Sequence, residues 1–261
     1  MFLAFYTLIV FVATTLGASA GIGGGIIIKP AFDLLNQDEL NIISFLSANA
    51  VFFMAFYSSV KRLRGKAEKF DKPILLIIAL SSILGGFVGN EVFYYLFDYI
   101  DSNNLKSIQS IALCVIVVFL ITYFTCYKKF KSLHLKSKLM MFIIGFLLGF
   151  VSSFLSIGGG PLNVALYTLL FGFSLKLSVA YSIATIFFAQ GTQLINILLT
   201  QDISTYPLSY LLAIVPTAIA GSIVGQCIYK RLNDRAISII LSATMLVVLC
   251  MNVSNLIMSM D

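Results

Sequence analysis

The stretches Gly21-Ile22-Gly23-Gly24-Gly25 and Ser156-Ile157-Gly158-Gly159-Gly160-Pro161 each interrupt a long apolar run. They lie in register, 135 residues apart. A glycine inside a helix costs about 1 kcal/mol relative to alanine, so two such runs at matched positions predict breaks between helices. Upstream of each break is a run long enough to cross a bilayer, 2–20 and 139–157, and downstream is a shorter one, 26–35 and 161–172. At 1.5 Å per residue the shorter pieces span about half of a 30 Å hydrocarbon core. Pro161 suits the first turn of the helix that follows, where its missing N–H is no loss.

Further outward, six more apolar runs fill the chain, at about 41–60, 73–96, 107–127, 178–199, 207–228 and 236–258. The 261 residues are 59% hydrophobic and 11% charged, against about 25% charged in ordinary soluble domains. Mean hydropathy is +1.00. Lipid is the only solvent that accommodates this surface. The net charge of +6 sits in short loops between apolar runs, as the positive-inside rule requires, and is not read as a nucleic-acid signal. Met1–Ala20 ends in Ala18-Ser19-Ala20 but lacks a basic leader, and is read as an uncleaved first helix. Cys114, Cys126, Cys227 and Cys250 lie in apolar runs without metal or redox spacing and are read as packing residues.

The 135-residue shift also carries Ser47 onto Ser182, Phe52-Phe53 onto Phe187-Phe188 and Gly86 onto Gly221. The expected organisation is a first transmembrane repeat over 1–127, a basic cytoplasmic linker loop over 128–138 and a second repeat over 139–261. Loop Lys61–Lys72 holds six cations, whereas its mate near 196–207 holds none. Tyr94–Asn104 is acidic, whereas its mate near 229–235 is basic. Opposite signatures in equivalent loops place those loops on opposite membrane faces, the mark of inverted repeats. Inversion needs an odd number of crossings per repeat, so the short pieces 26–35 and 161–172 are expected to traverse as well. The alternative keeps eight spans and lets loop 229–235 violate the rule. The fold class is therefore an all-α polytopic membrane protein of two inverted repeats, each with four long transmembrane helices and one short Gly-broken half-helix.

Glycine lets bare N–H groups approach a ligand, and a helix N-terminus attracts anions through its free amides and macrodipole. Gly21, Gly23, Gly24 and Gly25, with Gly158, Gly159, Gly160 and Pro161, are thus the candidate anion site. Close packing is the competing reading, and it is the preferred one for Gly86/Gly89 and Gly221/Gly225. Ser47, Asn49, Ser182 and Asn163 are neutral donors near the breaks, or bond back to their own helices. Gln190 and Gln193 share a helix face and are either pore-lining or interhelical glue. Lys29 and Glu91 are ionisable residues at membrane depth and candidates for coupling. For Lys29, snorkelling to the interface is preferred; for Glu91, a place near the headgroups competes. No nucleophile–base pair, metal-ligand cluster or phosphate loop is visible, so no enzyme activity, metal or cofactor is expected.

Gly21–Pro30 and Ser156–Pro161, one per half, together resemble the TauE/SafE sulfite-exporter-like permease family, as do Ser47, Ser182, Gly65 and the Gly-rich third and seventh helices. The resemblance implies a multi-pass permease of the bacterial inner membrane that moves a small sulfur or organic oxyanion such as sulfite, a sulfonate or thiosulfate. Alternating access around the breaks is the expected mechanism. The partners implied are the anion and the lipid bilayer, and a homo-oligomer is compatible with the sequence. A non-transporting scaffold and a cation permease remain the alternatives.

Overall fold

The computed structural model describes residues 2–35, 37–64, 71–126, 130–135 and 137–258. Gly65, Lys66 and Lys69 of the basic loop, and part of the linker 128–138, lie outside them. The described residues form ten α-helices: α1 (Phe2–Ala20), α2 (Gly25–Leu35), α3 (Leu40–Arg64), α4 (Lys72–Tyr99), α5 (Ser102–Cys126), α6 (Lys138–Phe154), α7 (Gly160–Phe171), α8 (Leu175–Thr200), α9 (Leu208–Tyr229) and α10 (Asp234–Met258). Shifting the first five by 135 residues lands them on the second five to within a few residues at most ends.

Seven of these helices are long and apolar enough to cross a membrane. The expected eighth, over 139–157, is shorter: α6 has 17 residues and stops at Phe154. Tight turns end it. Ser156 N–H donates to Ser153 O at 3.1 Å and Ile157 N–H to Ser152 O at 3.2 Å, and Ser156 takes a left-handed φ of 52°. Local sequence sets other ends too. Ser174 caps α8 by accepting from Leu177 N–H at 3.3 Å. Gly172 ends α7 with φ 70°, the left-handed geometry that suits glycine.

Packing follows the repeat but crosses between the halves. α1 lies on α9, and its equivalent α6 lies on α4. α3 packs against its own counterpart α8, and α5 against its counterpart α10. Phe52 of α3 stacks on Phe187 of α8, its repeat mate, with ring centroids 5.3 Å apart. Small residues allow the close approaches, as is usual between membrane helices. A Cβ on Gly89 would run into Phe150 O, and one on Gly221 would sit 2.7 Å from Phe11 O. Glycine at these positions is thus used for packing.

Candidate functional site

The two breaks meet in the buried centre of the bundle. Gly21, Gly23 and Gly24 have φ of 74°, 83° and 73°, and Gly158 and Gly159 have 74° and 59°. These are left-handed conformations that cost little only for glycine. Gly25 and Gly160 are the first residues of α2 and α7. Their constraint is different. A Cβ on Gly25 would lie 2.6 Å from Ile157 O, and one on Gly160 would overlap the carbonyls of Ile22 and Gly21. Each break therefore presses backbone against backbone on the other, at equivalent positions.

Two serines tie the junction. Ser182 Oγ lies 2.9 Å from Gly21 O and 3.0 Å from Gly160 O, so one hydroxyl bridges both breaks. Its mate Ser47 donates to Ser156 O at 3.4 Å. Ser156 is the repeat equivalent of Gly21, so each serine reaches across to the opposite half at the same point. Both hydroxyls are engaged by the protein in this conformation.

Among the described residues, the amides of Gly23, Gly24 and Gly25 and of Gly158, Gly159 and Gly160 donate to no protein acceptor. Asn163, on the first turn of α7, is fully buried, and neither end of its amide has a partner. A buried amide without partners costs about 1–3 kcal/mol, so it needs an explanation. Its Oδ1 would lie 3.6 Å, and Ser152 Cβ 3.3 Å, from a Cβ placed on Gly159. Gln193 Nε2 donates to Ser156 Oγ at 3.1 Å, and Gln190 Nε2 makes a long contact of 3.5 Å to Ser152 Oγ. The Oε1 atoms of both glutamines are buried without partners. Nearby, Thr185 Oγ1 and the Tyr167 hydroxyl are 2.6 Å apart.

This polar dressing belongs to one half. The first-half mates of Ser152, Ser156, Asn163, Thr185 and Gln190 are Gly17, Gly21, Ile28, Ala50 and Ala55. The paired backbone is common to both repeats; the amide side chains are not. Sequence reading put Asn163 beside the second break but did not bring Gln190 and Gln193 to it. The signal available was the substitution of amides for alanine and serine at matched positions.

The other candidates lie elsewhere. Asn49 donates Nδ2 to Phe45 O at 2.9 Å and lines a cleft of about 590 Å³ walled by Phe45, Phe52, Phe53, Phe187 and Phe188. Glu91 is exposed on α4 and accepts from Asn196 Nδ2 at 2.8 Å. Lys29 does not snorkel. It is 4% exposed, and its Nζ donates to Gln109 Oε1 of α5. A buried acceptor 80 residues away holds the ammonium inside, which is why local spacing misplaced it.

Long apolar helices, two of the helices interrupted by paired glycine breaks, and polar groups gathered at the junction define a multi-pass membrane transporter. The chain matches the model of the family described as sulfite exporter TauE/SafE over residues 6–251. It belongs to that family. It is also 24% identical over 264 residues to the probable membrane transporter protein YunE of Bacillus subtilis (strain 168), an alignment covering 92% of this chain and 93% of that protein. No solved structure matches it.

Proposed function

We propose that the protein is a secondary permease for a small oxyanion, in the class of sulfite, sulfonates and thiosulfate, that binds between the two glycine breaks. The observation that carries this reading is the pair of abutting breaks with undonated amides beside the unpartnered Asn163. Amides at the starts of α2 and α7 supply partial positive charge without a desolvated basic side chain. Asn163, Gln190 and Gln193 supply reorientable amides that match either protonation state of the anion. The name of the family points to the same substrate class.

In this reading the repeats are inverted in the membrane, and α2 and α7 cross with the other helices of their halves. Transport is alternating access. One set of helices rocks against the other about the junction, so that the anion meets one face and then the opposite one. Irregular backbone at membrane depth is tolerated where it lines a cavity, which the breaks do once the junction opens.

The test is a stability screen of the purified protein in detergent with sulfite, thiosulfate and an alkyl sulfonate. A ligand at 100 times its Kd adds about 2.7 kcal/mol of stability. Stabilisation by one of these anions, lost in Asn163→Ala, is the expected result. Equal melting with and without every anion would remove the site.

A further inference from the structure

A second buried polar cluster flanks the breaks, and it is charged. It occupies the interface of α2, α5 and α10, around a cavity of about 10 Å³, the scale of a single water molecule. Lys29, Asp33, Lys106, Gln109 and Asn252 line it. Lys29 and Asp33 are one helical turn apart on α2, and they are 4% and 5% exposed. Asp33 Oδ1 is buried without a hydrogen-bond partner. Ionisable groups at this depth are costly and are usually functional.

The cluster is wired to both breaks. α2 starts at the first break and carries Lys29 and Asp33. Lys29 donates to Gln109 Oε1, and Gln109 Nε2 donates to Phe154 O at 2.7 Å. Phe154 is the last residue of α6, just before the second break, and Ile157 of that break also lines the cavity. On the other side Lys106 Nζ donates to the backbone carbonyl of Asp33 at 3.2 Å, and Asn255 Nδ2 donates to Pro30 O at 3.0 Å. A change of charge on α2 therefore acts on the junction of the breaks.

The repeat again tells which half is specialised. The second-half mates of Lys29, Asp33, Lys106 and Gln109 are Val164, Thr168, Leu241 and Thr244. Charge sits on the first half and the neutral amides on the second.

We propose that Asp33 binds and releases a coupling proton, with Lys29 as its counter-charge, so that the anion and the proton move together. This rests on the permease reading. The charged and titratable groups facing Asp33 are Lys29 on its own helix, Lys106 on α5 and, more distantly, Tyr6 on α1; α10 contributes the neutral Asn252 to the cavity. Two lysines repel a metal cation from the cavity, whereas a proton simply converts the carboxylate to the acid. That step leaves Lys29 and Lys106 without a neighbouring negative charge. An anion at the breaks restores the balance, which favours loading the two together. Releasing the anion then favours releasing the proton to the same side.

Two measurements separate this inference from the substrate assignment. The first needs no substrate: pH-difference infrared spectra of the purified protein, read for a carboxylic-acid carbonyl band. A titrating band in the wild type, lost in Asp33→Asn, shifted in Asp33→Glu and kept in Glu91→Gln, supports the proposal. A band unchanged in Asp33→Asn, or none in the wild type, overturns it. The second is uptake of labelled sulfite into proteoliposomes. Asp33→Asn is expected to keep sulfite–sulfite exchange and to lose stimulation by a pH gradient; gradient-driven uptake that persists in this variant overturns the proposal. If the wild type moves no sulfite while the infrared result holds, the substrate assignment fails and the proton site stands. If Asp33→Asn does not fold, Asp33→Glu, which keeps a carboxyl, is expected to retain the gradient response, and its absence there counts against the proposal.

Discussion

Replacing Gly160 or Gly25 by alanine tests the meeting of the two breaks most directly. Neither residue has a left-handed φ, so alanine adds no backbone strain there and the effect is steric. In Gly25→Ala the new methyl would sit 2.6 Å from Ile157 O, against 3.4 Å for an ordinary contact. The breaks must separate by about 0.8 Å, and by more in Gly160→Ala, where the overlap is with two carbonyls. The obstacle is backbone on both sides and cannot be relieved by a rotamer change. Overpacking of this kind costs about 1–3 kcal/mol, which corresponds to about 2–12 °C in Tm for a chain of this size. Gly160→Ala belongs at the upper end. Gly159→Ala loses stability for another reason, its φ of 59°, so Gly159→Asn should recover part of the loss because asparagine tolerates that region. Asparagine at 160 should not. The assay is thermal unfolding in detergent, with Gly191→Ala as control, since its new methyl meets only the Phe52 side chain at 3.1 Å. Wild-type melting of Gly160→Ala would refute the backbone contact between the breaks.

Asn163→Leu, which keeps the branching at Cγ but exchanges the amide for bulkier methyl groups, should abolish anion-induced stabilisation; stabilisation that persists in this variant would remove the amide from the site. Ser182→Ala should cost about 1–3 kcal/mol, because it removes the hydroxyl shared by Gly21 O and Gly160 O. Ser47→Ala should cost less, its contact to Ser156 O being 3.4 Å; melting curves rank the two. Arg62 donates to Ala18 O at 2.9 Å and stacks 3.8 Å from the Tyr229 ring centroid, so Arg62→Met should lower Tm more than Tyr229→Leu, and the reverse order would mean that the ring contact dominates.

The helices were legible because the long ones are apolar through their central turns and the glycine runs mark where α2 and α7 begin. α2 and α7 begin within a residue of the expected positions. The end of α6 was not legible: Leu155 to Ile157 is as apolar as what precedes it, and only the turns at Ser152 and Ser153 end the helix there. Among the candidate residues, the glycines were readable from their cost. The fates of the polar residues were not. Ser182 finds its acceptor 161 residues away and Lys29 finds Gln109 at a separation of 80, partners that local spacing does not specify. Comparing the two halves position by position recovers part of this, since Asn163 against Ile28 and Asp33 against Thr168 are visible in the sequence alone.

The crossing of partners between halves bears on how the protein is made. α1 packs on α9 and α4 on α6, so α1 waits for α9 to be synthesised. About 200 residues separate the end of α1 from the end of α9, roughly 10–40 s of synthesis at 5–20 residues per second. During that interval the face of α1 that carries Phe11, Thr14, Thr15 and Ala18 lacks the glycines of α9 that it packs against. A nascent chain halted after the first five helices would hold no finished unit, and an insertion chaperone or the bilayer itself must shelter it. By the same logic, residues 1–127 and 139–261 supplied as separate polypeptides should assemble with each other, and neither should be stable alone.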